Sequence, residues 1–377
     1  MKIAVIRQKY VNYGGAESFV QQYTEQLANL GHDVTIFASQ WTPSSLPNIH
    51  LHSLPILNFN AFVRTLSFAR AAKRAVRRES FDIIQSHEKT LCQDVYRAGD
   101  GCHREWLLQR TKYFSWPKKF LLACNPFHRL ILGLEKKQVL DPNLKKIIAI
   151  SEMVRQDLLR HYPIPENKIE VVYNGVPLER FHPDNKARYR SSIREQLKIS
   201  DDEIMILFVG SGFERKGLEF LLRSLKHLQF ENWRLVIMGK GKRTRFIQHA
   251  DNRFHAKINF LEPVDEIEKF YAAADMFVLP SIYEPFGNAY LEALATGLPV
   301  ITSGNSGAAE IIDPGINGLV VGDPTDPKEI AKQVNFLMDE PIRDEMGCQA
   351  RLLAEKFSPE KNVQEMLRIY EEVVNAG

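Results

Sequence analysis

The chain is poor in cysteine, has no long apolar run and lacks a dinucleotide fingerprint. Its four cysteines are Cys92, Cys102, Cys124 and Cys348, and none forms a C-x-x-C pair. Neither a zinc knuckle nor a redox pair is expected, and reduced thiols suit a cytoplasmic protein. No stretch approaches the roughly 20 apolar residues that span a bilayer. Met1-Lys-Ile-Ala-Val-Ile-Arg7 is too short an apolar run for a secretory signal and reads as a buried first strand. The loop ending in Gly14-Gly15 has no G-x-G-x-x-G, which argues against a dinucleotide site. No D-x-D and no His-Glu-Asp cluster is set for a metal, and Asp82 and Asp94 stand alone, so neither metal nor cofactor is expected. Repeats and low-complexity tracts are also missing.

What is there is unevenly charged. Residues 1–180 hold 25 Lys and Arg against 16 Asp and Glu, whereas residues 181–377 hold 24 against 30. A basic front half implies an anionic partner for it. At 377 residues, two cores are expected.

Strand and helix patterns alternate twice. In the front half, Ile3–Ile6, Val34–Ala38, Phe81–Gln85, Ile147–Ile150 and Ile169–Tyr173 read as strands. Between the first two, Ala16, Phe19, Val20, Tyr23, Leu27 and Leu30 mark one face of a helix that Gly31 ends. Ser151 is placed to cap a helix over 152–162. The back half restarts with Ile204–Gly210, Trp233–Met238, Ile258–Leu261, Met276–Leu279 and Pro299–Thr302 as strands. Two such series predict an α/β protein with two Rossmann-like, doubly wound parallel sheets, which bind ligands beyond their strands' carboxyl ends. The expected division is 1–178, 179–357 and a terminal helical segment, 358–377.

The most telling segment is Glu284-Pro-Phe-Gly-Asn-Ala-Tyr-Leu-Glu292. Pro285 suits a first helical turn, which leaves Glu284 at the mouth of the helix and Glu292 about two turns inside. There the backbone N–H groups of Phe286, Gly287 and Asn288 are expected to face an anion. Arg215 and Lys216 leave a strand-following loop, Gly210-Ser-Gly-Phe-Glu-Arg-Lys-Gly217. Arginine forks phosphate oxygens and lysine adds a point charge. An ordinary surface helix and a solvated basic turn are the bland alternatives. An anion cradle flanked by carboxylates that accept from hydroxyls fits a sugar–diphosphate–nucleoside.

These residues carry a resemblance. Tyr271-Ala-Ala-Ala-Asp-Met-Phe-Val-Leu-Pro-Ser281, Tyr283-Glu-Pro-Phe-Gly287 and Glu292-Ala-Leu-Ala-Thr-Gly-Leu-Pro-Val300 resemble retaining glycosyltransferases of family 4, which have the GT-B fold. The resemblance implies a nucleotide-sugar donor, with UDP favoured, and a diphosphate held by Gly212, Arg215 and Lys216. It sets Gly14 and Gly15 against the donor sugar phosphate, Gly239 and Val264 beside the base, Glu292 on the ribose hydroxyls and Glu284 on a hydroxyl of the transferred sugar. It also implies retention of configuration and a final helix that crosses back to the first domain. With Arg215, Lys216 and the helix N-terminus facing the leaving diphosphate, metal-independent transfer is expected.

In the first domain, Tyr13-Gly-Gly15, Gly31-His-Asp-Val34, Ser39-Gln-Trp41 and Ala98-Gly-Asp-Gly-Cys102 are similar to lipopolysaccharide-core glucosyltransferases of Gram-negative bacteria. That likeness implies glucose as the hexose, an inner-core heptose as acceptor, and Asp100 and His103 near the acceptor. His87 is a further candidate for a polar contact.

Two stretches of this domain, 62–78 and 104–137, mix Lys and Arg with aromatics, among them Trp106, Phe114, Trp116, Phe120 and Phe127. Such mixtures favour an anionic bilayer interface. Peripheral association with the inner membrane is therefore expected, and no nucleic-acid motif accompanies the charge. Competing readings are a family 4 transferase for capsule or O-antigen on a polyprenyl carrier, an NAD-dependent dehydrogenase, and a non-catalytic membrane adaptor.

Overall fold

The computed structural model describes residues 1–10, 15–42, 46–113 and 116–376. It divides into two compact units. The first comprises Met1–Asn174 and the chain from Pro359 onward, and the second Gly175–Ser358.

The first unit is built on a seven-stranded parallel sheet. Its strands are β1 (Lys2–Ile6), β2 (Asp33–Ala38), β3 (Ile49–Ser53), β4 (Ile83–Ser86), β5 (Val95–Ala98), β6 (Lys146–Ala149) and β7 (Ile169–Val171). They lie in the order β3-β2-β1-β4-β5-β6-β7. β1 is central, with Ile3 opposite Val34 on one side and Ile83 on the other. Alternate side chains of a strand point to opposite faces, and both faces here are covered. Ile3 and Val5 pack under Phe19, Val20, Tyr23 and Leu27 of the helix Gly15–Asn29. Ala4 and Ile6 pack against Phe68, Ala72, Ala75 and Val76 of the helix Ala61–Val76. An unbroken apolar run is what burial on both faces requires.

The last helix, Pro359–Asn375, joins the first of these layers through Val363, Met366, Ile369, Tyr370 and Val373, which recur at helical spacing. Its Tyr370 hydroxyl bonds both the Tyr23 hydroxyl and Gln85 Oε1.

The second unit holds a six-stranded parallel sheet: β8 (Ile204–Val209), β9 (Trp233–Met238), β10 (Ile258–Leu261), β11 (Met276–Val278), β12 (Val300–Ser303) and β13 (Gly318–Val321). The order is β10-β9-β8-β11-β12-β13. In both sheets the order reverses beside the first strand of the series, which opens a crevice at the strands' carboxyl ends. The expectation of two doubly wound sheets holds.

Local expectations fare unevenly. Ser151 Oγ accepts from Val154 N–H at 3.1 Å and caps the helix Glu152–His161. Gly31 ends the first long helix with φ +85°. Leu30, however, is exposed rather than part of the buried face, because it lies beyond the last turn. The helix after Glu284 does not begin at Pro285. It spans Asn288–Ala295, and Gly287 precedes it with φ +86° and ψ +94°. A left-handed residue at that point interrupts helical hydrogen bonding, so Pro285 lies in a bend before the helix. None of the described helices is long and apolar enough to cross a membrane, and all four cysteines are thiols.

Candidate donor and acceptor sites

Four loops gather at the carboxyl ends of β8, β9, β11 and β12 in the second unit. Residues 210–217 follow β8, and Ile282 N–H donates to Arg215 O at 2.9 Å, tying that loop to the one after β11. Glu284 is anchored at both backbone groups. Its N–H donates to Asn305 O at 3.0 Å, and its carbonyl accepts from Gly307 N–H at 2.9 Å. The carboxylate is thereby fixed beneath residues 210–217.

Arg215 Nη1 donates to Glu284 Oε2 at 3.1 Å and to Tyr283 O at 3.3 Å. Lys216 Nζ donates to the same Oε2. Both Lys216 and Glu284 are buried. Burial alone would raise the Glu284 pKa, but Arg215 and Lys216 more than offset it and hold the carboxyl below its ordinary range. Burial lowers the Lys216 pKa, with Glu284 opposing and Arg215 adding to the fall. Two cations against the one carboxylate they share leave that ion-pair cluster with about one positive charge in excess, a setting that attracts an anion.

Close backbone packing explains two of the glycines here. A Cβ on Gly239 would lie 2.2 Å from Gly210 O, so the loops after β8 and β9 touch backbone to backbone. A Cβ on Gly217 would lie 1.9 Å from Pro280 O.

Glu292 sits on the helix Asn288–Ala295, half-buried. It accepts from the Tyr271 hydroxyl at 2.8 Å. Burial raises its pKa, partly offset by that bond and by Arg180 and Lys216. Phe286 is fully buried, a core residue at the foot of the segment. Gly212 is exposed and Val264 is 40% exposed, both in loops. The structure thus brings Arg215, Lys216 and Glu284 into contact. Glu292 lies near enough to Lys216 for their charges to interact.

The first unit carries the remaining candidates. Gly14 is outside the described residues, and Gly15 opens the first long helix. Asp100 is exposed in the turn after β5. Three residues on, His103 begins the helix His103–Lys112 and meets His128 Nδ1 through Nε2 at 3.1 Å. Burial, with help from the Lys89 charge, pulls the His103 pKa down to about 4. His87 is buried and pairs with Gln85 at 2.8 Å, and burial also holds it well below the ordinary range.

Sequence reasoning missed what holds this loop. Glu135, from the helix Pro126–Val139, accepts from His103 N–H at 2.8 Å, Arg104 N–H at 3.2 Å and the Tyr162 hydroxyl at 2.7 Å. It also pairs with Lys89 at 3.3 Å. A Glu among Lys136 and Lys137 reads as a solvated helix face, so only the fold exposes its role. Tyr271 was likewise legible as a residue but not as the partner of Glu292.

Comparison with known proteins agrees with this layout. Residues 13–180 match the Glycosyltransferase Family 4 model, and residues 190–353 match Glycosyl transferases group 1. The uncharacterized glycosyltransferase MJ1607 of Methanocaldococcus jannaschii is 34% identical over 232 residues. That match takes in 60% of this chain, and the chain spans about three fifths of the relative's length, 59%. The lipopolysaccharide glucosyltransferase WaaG of Escherichia coli K12 is 23% identical over 94% of each chain. A crystal structure of WaaG superposes with a TM-score of 0.81 at 22% identity, covering 96% of this chain and 98% of that one. HepE of Anabaena, crystallised with UDP-glucose, gives a TM-score of 0.74 at 16% identity, over 99% and 100%. One family model matching each half, over two doubly wound sheets, identifies the chain as a GT-B glycosyltransferase of family 4.

Proposed function

We propose that the protein is a retaining hexosyltransferase. It moves glucose from a UDP-linked donor, bound by the second unit, to a lipopolysaccharide inner-core heptose recognised by the first. The observation that carries this reading is the convergence of Arg215 and Lys216 on the buried Glu284 carboxylate, with Glu292 eight residues further on. The surplus positive charge suits a diphosphate, and the two cations stabilise charge as it develops on the leaving group. This supports transfer that needs no metal. Glu284, already ionised, accepts from a sugar hydroxyl, and Glu292 accepts from the ribose. Gly212, Gly239, Val264, Phe286, Gly287 and Asn288 complete the donor contacts in the second unit. That the relative WaaG is a lipopolysaccharide glucosyltransferase, and that HepE was crystallised with UDP-glucose, favour the same donor.

No residue is placed as a sugar nucleophile in this reading. The leaving phosphate oxygen takes the proton of the acceptor hydroxyl while the sugar passes through an oxocarbenium-like state on one face. The C1–O bond to phosphate breaks as the C1–O bond to the acceptor forms. Asp100 then orients the acceptor hydroxyl, and His103, neutral at pH 7, contributes a hydrogen bond.

A second element of the reading is docking on an anionic membrane surface from the cytoplasmic side. It is supported by the helix Trp116–Cys124, none of whose residues is buried. Trp116 is 77% exposed, and Phe120 and Leu121 are also exposed, beside Lys118 and Lys119. Exposed aromatics among lysines suit the head-group region.

The test is a thermal-shift panel of UDP, GDP, ADP and NAD, followed by donor and truncated core oligosaccharide with and without EDTA. Selective stabilisation by UDP and EDTA-resistant glucosyl transfer are expected. Stabilisation by NAD alone overturns the reading.

A further inference from the structure

Glu292 is the residue assigned to the ribose, and the role of its neighbour Tyr271 rests on that assignment. A carboxylate serves two vicinal hydroxyls only when it is ionised and its plane is fixed. The structure surrounds it with a specific set of groups. Tyr271, on the helix Glu268–Ala273, is completely buried and points its hydroxyl at Glu292 Oε2, 2.8 Å away. The same hydroxyl lies 3.3 Å from Ala289 O, the weaker contact. The Tyr271 ring has little freedom to turn. Phe181 meets it edge-on at 5.7 Å between centroids, and Phe277 lies tilted at 5.9 Å.

The other charged groups acting on Glu292 are Arg180, Glu268 and Lys216. Arg180 is engaged elsewhere, by Glu268 at 2.9 Å and by Asp265 O. Lys216 is engaged by Glu284. Among the described residues, Tyr271 is thus the donor that reaches the Glu292 carboxylate itself.

We propose that Tyr271 is a positioning residue for the donor: its hydroxyl holds Glu292 Oε2, so that the rest of the carboxylate faces the ribose hydroxyls in ionised form. Removing that hydroxyl should have two effects. The carboxylate loses a fixed orientation, which weakens donor binding without touching the reacting atoms. It also loses a bond that favours its charged form, so protonation occurs at higher pH. Burial already raises the Glu292 pKa, which brings the second effect toward the working range. Since binding uses the ionised form, affinity falls as pH drops, and the fall should begin at higher pH once the bond is gone.

The test is calorimetric binding of UDP-glucose between pH 5 and 8 to the full-length protein. UDP-glucose is a suitable probe because its diphosphate is a diester with no titration in that range. Tyr271→Phe keeps the ring in its packing. It should bind about 10-fold more weakly at pH 7, with its acid limb moved up by about one pH unit. Donor KM should rise while kcat changes little. Glu292→Gln should bind weakly with no acid limb, and adding Tyr271→Phe to it should change nothing further, because neighbours acting as one unit are not additive.

The inference is overturned if Tyr271→Phe matches the wild type in affinity and pH profile, or if it costs as much in the Glu292→Gln background. Wild-type protein with no affinity for UDP-glucose at any pH removes the ribose reading, and the role of Tyr271 with it.

Discussion

The Glu135 carboxylate accepts the backbone N–H of His103 at 2.8 Å, so a helix is capped by a residue 32 positions further along the chain. Helix starts leave N–H groups without intrahelical partners. Here Cys102, in the cap position, makes no side-chain cap bond, and Glu135 serves both His103 and Arg104. The turn carrying Asp100 is therefore set by the helix Pro126–Val139.

Glu135→Ala should destabilise the first unit by about 3–5 kcal/mol, since it leaves the Lys89 side chain, only 11% exposed, without its carboxylate. Glu135→Gln keeps an acceptor and should cost about 1–3 kcal/mol. Burial alone would raise the Glu135 pKa, but Lys89, the His103 N–H and the Tyr162 hydroxyl hold it below the ordinary value. Its contribution is present above the unfolded pKa and is lost as pH falls through the lower folded one. Urea unfolding midpoints at neutral and acid pH check both points.

Lys216→Ala should lower kcat/KM by about 10²–10³-fold if the ammonium meets developing charge on the leaving group. Its fold should survive, because Arg215 still pairs with Glu284. Glu284→Ala should cost more stability than Lys216→Ala, since it leaves two like charges close together. Steady-state kinetics and melting temperature, measured side by side, separate the two roles.

Gly217→Ala and Gly212→Ala form a matched pair. Both glycines have φ near +75°, at +73° and +77°. A methyl at 217 would also run into Pro280 O at 1.9 Å, whereas one at 212 meets nothing within 4 Å. Gly212→Ala should cost about 1–2 kcal/mol for the backbone conformation alone. Gly217→Ala should cost distinctly more or fail to accumulate. Denaturant titration of both variants reads the difference.

Thiol chemistry offers a quick check on burial. Cys124 and Cys348 are exposed, Cys92 is half-buried and Cys102 is buried. Burial pushes the Cys92 thiol up to about 11 and the Cys102 thiol up to about 12. Two thiols should react rapidly with Ellman's reagent in the native protein and all four in guanidinium.

Replacing Trp116, Phe120 and Leu121 together by Ser should leave the melting temperature within about 1 °C, because exposed side chains bury little. Co-sedimentation with anionic vesicles at low salt should fall sharply. Unchanged sedimentation would detach this helix from the membrane proposal.

How much of the structure was legible in the sequence depended on whether the signal was local. Ile3–Ile6 and Ile204–Val209 are apolar runs, and runs of that kind announce strands buried on both faces. Val95–Ala98 was missed because it carries Arg97, which spoils the pattern. In the fold that charge is buried at the Asn174 side chain and 3.9 Å over the Phe19 ring. Ile49–Ser53 was missed because two histidines alternate with its apolar residues. The helix start was misread because Pro285 is a strong local cue, overridden by the left-handed Gly287. At the site, Arg215, Lys216 and Glu284 could each be singled out. Their mutual ion pair spans 68 and 69 residues of chain, and no periodicity reports a contact at that range.

Val363, Met366, Ile369, Tyr370 and Val373 complete a hydrophobic layer begun by Ile3 and Val5. On the ribosome, that layer stays open while all of the second unit is synthesised. The first unit's exposed apolar face must therefore be shielded, by chaperones or by transient collapse, until residues 363–373 leave the exit tunnel. A fragment ending at Asn174 would keep that face open permanently and should aggregate on expression.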